Sequence, residues 1–84
     1  MPIEQINESS FWRTADLSLA ATIFLFRPLE MVDKTSNSRK SEFVFAHDKE
    51  LDELIEQFWR DEIRVSPRAY FSAIRDIKVR LYEN

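Results

Sequence analysis

The sequence has no glycine, no cysteine, one histidine and three prolines in 84 residues. Each shortage removes a class of answer. Without glycine there is no phosphate-cradling loop, because such loops need positive φ and close approach of the backbone. Dinucleotide-binding folds, P-loops and nucleophile elbows are excluded together. Without cysteine there are no disulfides and no thiolate metal sites. The single histidine, His47, leaves only carboxylate-rich metal sites. No apolar run approaches the ~20 residues of a membrane span. The apolar stretch 17–26 is shorter, and Pro28 follows closely. The N-terminus lacks a basic segment ahead of an apolar core, the mark of a signal peptide. The net charge of −3 exerts no overall pull toward nucleic acid or membrane.

What is present is aromatic: seven Phe, two Trp and two Tyr. A chain this short buries only ~60–65% of the surface its unfolded form exposes. Its stability therefore rests on bulky side chains, each hiding about 150–250 Å², or on self-association. One domain is expected over residues 11–84, behind a polar, aperiodic tail at 1–10.

Within that domain the punctuation is legible. Phe11–Thr14 reads as a short strand or an extended lead-in. Asp16 stands at an N-cap position ahead of a helix over 17–26 that is apolar on nearly every side, and Pro28 ends it. Residues 29–34 alternate, with Leu29 and Met31 inward and Glu30 and Asp33 outward. Ser, Thr and Asn crowd residues 35–41, a turn. Phe43 and Phe45 then share one face, which makes 29–46 a β-hairpin. Asp48 caps a second helix carrying Leu51, Leu54, Ile55, Phe58 and Trp59 at helical spacing. Ser66-Pro67 opens a third, running to about Tyr82, with a stripe of Tyr70, Phe71, Ile74, Ile77 and Leu81. The expected fold is α+β, a short β-hairpin covered by about three helices, in the order (β)-α-β-β-α-α.

Charge is segregated along the chain. Residues 34–41 hold three basic groups and no acid; 42–62 hold eight acids against two bases; 63–84 hold five bases against two acids. Lys34, Arg39, Lys40, Arg64, Arg68, Arg75, Lys78 and Arg80 are the candidates for a surface that meets a phosphate backbone or an acidic partner. Arg68 and Arg75, seven apart, share a helix face. The plainer reading is a solvated face partly paired with the acidic helix. The acids Glu50, Asp52, Glu53 and Glu56 read as an exposed helix face, favoured near the positive end of the helix dipole. A bundle metal site needs a Glu-x-x-His motif or acids from facing helices, and this helix has no histidine.

No catalytic constellation emerges. His47 beside Asp48 reads as a turn or capping residue, and Ser66 is accounted for as a cap. Exposed aromatics can stack on bases; Trp12 and Tyr82, near the chain ends, are the two expected outside the core. No enzyme activity and no cofactor are expected. The leading expectation is a protein-binding module, a homo-oligomer or a subunit of a larger complex. Its candidate interface is the first helix, at Leu17, Ala21, Phe24 and Leu25. The second expectation is a nucleic-acid-binding accessory protein using the basic residues. No membrane association is expected.

The segments 11–21, Glu42-Phe43-Val44-Phe45, Phe58-Trp59, 65–75 and Lys78-Val79-Arg80-Leu81-Tyr82 follow one another in an order that resembles the DUF5659 family of small bacterial domains of unknown function. The resemblance spans roughly residues 11–82. A glycine-containing turn usual after the first helix is replaced by Arg27-Pro28. The resemblance implies a bacterial, cytoplasmic protein and brings no activity.

Overall fold

The computed structural model describes residues 10–34 and 41–83. Along them run β1 (Phe11–Thr14), α1 (Leu17–Phe24), β2 (Leu29–Asp33), β3 (Glu42–Ala46), α2 (Lys49–Trp59) and α3 (Pro67–Tyr82). The expected α+β order is the observed one. Residues 1–9 of the expected N-terminal tail and 35–40 of the hairpin tip, with Arg39 and Lys40, lie outside the described residues.

Phe11–Thr14 is a true strand, and it turns the hairpin into a three-stranded antiparallel sheet of order β1-β3-β2. β3 is central, and its Phe43, Val44 and Phe45 are all buried. Trp12 and Leu29 lie opposite Phe45, and Thr14 and Val32 opposite Phe43, so these residues share the face turned to the helices. The Trp12 and Phe45 rings tilt against each other with centroids 6.2 Å apart.

β2 departs from simple alternation. Its register slips between Leu29 and Met31, so Met31 lies opposite Val44. One extra residue reverses the side chains that follow. Met31 is therefore not inward as its spacing suggests; it is 46% exposed, and Val32 packs on the core instead. On the open face Arg13 reaches from β1 to Asp33 at 2.7 Å and Glu42 at 3.3 Å. Both carboxylates hold the Arg13 guanidinium charged, above its ordinary pKa. Val44 lies buried between Arg13 and Met31, its partners in register on that face.

Helix α1 starts where Asp16 accepts from the Ser18 and Leu19 N–H groups at 2.9 and 3.1 Å. Those bonds, the Leu19 amide first and the Ser18 hydroxyl next, lower the Asp16 pKa. The helix stops at Phe24, two residues short of the apolar run. Phe26 and Arg27 both donate to Ile23 O in a tightened turn, and Pro28 bars another helical residue. α1 packs against both α2 and α3 and also touches β1. Its Ala20, Ala21 and Ile23 are fully buried. Thr22, the buried polar residue on it, donates its hydroxyl to Ser18 O at 2.9 Å. Leu51 of α2 and Ala73 and Ile77 of α3 complete the core.

Candidate functional site

α3 begins as its sequence dictates. The Ser66 hydroxyl accepts from the Ala69 N–H at 2.9 Å, and Pro67 takes a first-turn position where no N–H is needed. Ala73 and Ile77 are buried, and Tyr70, Ile74 and Leu81 pack partly buried against the core. At ~100° per residue, Arg68, Phe71, Arg75, Val79 and Tyr82 fall on the opposite side. There Phe71 is 66%, Val79 55% and Tyr82 75% exposed. Phe71 thus does not belong to the inward stripe its sequence spacing assigns it to. It stands one residue round from Tyr70, at the margin, and the core closes without it.

The open surface around Phe71 is bordered by Pro67, Arg68, Tyr70, Ser72, Ile74 and Arg75. All of that border comes from α3. Among the described residues, Arg68 and Arg75 make no ion pair and no side-chain hydrogen bond. The pairing with the acidic helix allowed by their sequence is not formed.

The other described basic candidates have surroundings of their own. Lys34 donates to the backbone carbonyl of Glu83 and so sits at the negative end of α3. Arg80, in the last turn, lies near it beside Glu30 and Glu83. Arg64 donates to Asp61 O at 2.9 Å and Ile63 O at 3.1 Å, bracing the α2–α3 connection. Lys78, seven residues on from Phe71, lines a cleft with Leu17, Phe43 and Tyr82. Among the described residues, Arg68 and Arg75 flank Phe71, Lys78 follows on the same side one turn on, and Lys34 and Arg80 lie at the far end of the helix.

That α2–α3 connection holds a feature absent from the sequence reading. Asp61 has φ 62°, the left-handed region. Its N–H donates to Phe58 O and that of Glu62 to Gln57 O, the paired bonds that close a helix C-terminus. Glycine is the usual residue there. In a chain without glycine, aspartate occupies the position, since its short polar side chain tolerates this conformation.

The outer side of α2 is acidic. Asp52, Glu53 and Glu56 border a cleft with Lys49, Ile55, Trp12 and Trp59. Trp59 is 65% exposed and meets Phe58 edge-on at 5.0 Å. Glu56 faces Arg60 at 3.7 Å, and Asp52 Oδ1 lies 2.8 Å from His47 Nε2.

His47 and Asp48 form the junction between β3 and α2. The His47 N–H donates to Ser10 O at 2.8 Å. Asp48 caps α2 through the Leu51 N–H and accepts both Arg27 terminal nitrogens, at 2.7 and 2.6 Å. The Arg27 guanidinium, followed by the Leu51 amide, holds the Asp48 carboxyl at about 2. The end of α1 is thereby clamped to the start of α2.

The interface candidates on α1 fare differently. Ala21 is 0% exposed and cannot meet a partner. Leu17, Phe24 and Leu25 are half-buried and pack against the core. An all-round apolar helix marks the centre of the fold here, because sheet, α2 and α3 take up its faces. Among the described residues no group of three or more metal-ligating side chains converges, and no helix is long and apolar enough to cross a membrane.

A family model described as DUF5659, a domain of unknown function, matches residues 10–83, so the chain belongs to that family. No curated protein and no solved structure matches it.

Proposed function

We propose that this DUF5659 domain is a non-catalytic protein-binding module whose contact surface is the outer face of α3. One observation carries the reading: Phe71 and Tyr82 stand well exposed on the same helix face as Arg68 and Arg75, two arginines that make no ion pair and no side-chain hydrogen bond among the described residues. Aromatic residues and arginine are the types enriched where binding energy concentrates. Burying Phe71 against a second surface gains apolar area, and the flanking guanidinium groups select for acids. A cytoplasmic, bacterial setting belongs to the proposal; a cysteine-free chain suits a reducing compartment.

The test is a photo-crosslinking amino acid at position 71, with a control at Glu30 on the β2 edge, irradiated in living cells of the source. Discrete protein adducts from position 71 alone are expected. Equal adducts from both positions, or none from either, would overturn the reading.

Aromatics interleaved with unpaired arginines also favour a second reading, contact with single-stranded nucleic acid by stacking and phosphate pairing. Each phosphate contact made from this face makes log affinity fall by roughly 0.7 per unit rise in log salt. Fluorescence anisotropy with a labelled oligonucleotide measures this. Unchanged affinity in a combined Arg68→Glu, Arg75→Glu variant eliminates it.

A further inference from the structure

The outer faces of α2 and α3 are opposite in charge and alike in build. The α3 face sets Phe71, 66% exposed, among Arg68 and Arg75; the α2 face sets Trp59, 65% exposed, beside Glu53 and Glu56. Within one copy they do not satisfy each other. Both helices pack inward on α1, and among the described residues no ion pair joins α2 to α3. Glu53 forms no ion pair there, and Glu56 has only the distant Arg60 contact.

Resting on the reading of α3 as a protein-binding face, we propose that its partner is a second copy of this chain, with α3 of one copy lying along α2 of the next. Charge decides which faces meet. Setting α3 on α3 opposes arginine to arginine, and α2 on α2 opposes carboxylate to carboxylate; both are penalised. Only the unlike pairing places Arg68 and Arg75 among acids and covers Trp59 and Phe71 together. A contact limited to two helix faces is smaller than the ~800 Å² per partner of a standard stable complex. Association is therefore weak, concentration-dependent and sensitive to salt, which screens exposed charge.

The experiment is sedimentation equilibrium from micromolar to millimolar protein. Two charge-reversed chains accompany the natural one: Arg68→Glu with Arg75→Glu, and Glu53→Lys with Glu56→Lys. All four positions are exposed, and circular dichroism confirms that each variant folds. The natural chain is expected to rise in average mass above 10.1 kDa with concentration and to fall back in high salt. Each variant alone is expected to stay monomeric, and an equimolar mixture to associate again, because the reversed charges match. A natural chain that remains at one-copy mass throughout overturns the proposal, as does a Glu53→Lys, Glu56→Lys variant that associates undiminished. A monomeric natural chain whose position-71 crosslinker captures a different protein overturns self-docking alone and leaves the protein-binding reading standing.

Discussion

Two helices of this domain make opposite use of their apolar residues. α1 is apolar on nearly every side and disappears into the fold, with Ala20, Ala21 and Ile23 at 0% exposure. α3 is amphipathic, buries Ala73 and Ile77, and still leaves Phe71, Val79 and Tyr82 in solvent. Apolar content tells how many neighbours a helix has within its own chain. Apolar residues standing on the polar side of an amphipathic helix are the ones left over for something else.

The widest gap between the two helices should appear in stability. Ile23→Ala empties a site enclosed by sheet and helices and is expected to cost ~2–5 kcal/mol. Phe71→Ala removes a larger side chain from solvent and is expected to change stability by under ~0.5 kcal/mol. Urea unfolding followed by circular dichroism measures both. A loss of several kcal/mol at Phe71 breaks the contrast, because that ring would then be packed within the chain.

The caps come next. Asp16→Ala removes the acceptor for two N–H groups of α1, and Ser66→Ala the acceptor for one of α3. About 1 kcal/mol is expected for each, with Asp16 the larger because its two amides and the Ser18 hydroxyl all lose a partner.

Acid sharpens the same contrast at the α1 end. Asp48 is held at about 2 by Arg27 and the Leu51 amide, and Asp16 is lowered by the amides it caps. A carboxyl whose pKa is lower in the folded state contributes stability above its unfolded value, close to 3.8. That contribution is lost as pH falls from about 4 toward about 2. The urea midpoint of the natural chain should decline across this window. Asp48→Asn should start lower at neutral pH and decline less. Parallel curves for the two chains would mean that Asp48 is not the group responsible.

The smallest effect is expected in the link between α2 and α3. Asp61→Gly relieves a left-handed residue while loosening the unfolded chain, for a net gain of about 0.5 kcal/mol. The Arg64 brace survives because it uses the Asp61 carbonyl, not the side chain. A drop in thermal midpoint would show that the aspartate side chain contributes something glycine lacks.

Local chemistry made much of this fold legible. Asp16, Asp48 and Ser66-Pro67 announce their helices because an N-cap is a short-range matter. Phe43 and Phe45 announce β3 by alternation. Long-range decisions were less legible. Phe11–Thr14 reads as a strand or an extended lead-in, and the free edge of β3, which settles it as a strand, is not visible in the sequence. The slipped register at Glu30 turns Met31 outward, and no local pattern foretells where a partner strand will tolerate an extra residue. Ala21 looked like an interface residue because a sequence cannot say how many elements surround a helix. Phe71 fits the stripe of Tyr70 and Ile74 in projection, and only the position of α1 decides which side of that stripe is covered. Asp61 carried one signal that can be recognised: a helix-ending position in a chain with no glycine to fill it.

The two tryptophans stand in contrasting surroundings, one tilted over Phe45 beside the core and the other in solvent at the end of α2. The chain thus carries two tryptophan fluorophores with separate duties. With Trp59→Phe, the emission that remains, from Trp12, reports on loss of the packed sheet. With Trp12→Phe, the emission that remains, from Trp59, shifts to shorter wavelength when something dry settles on α2. Folding and docking can be followed by the same optical method in the same buffer, with no label attached.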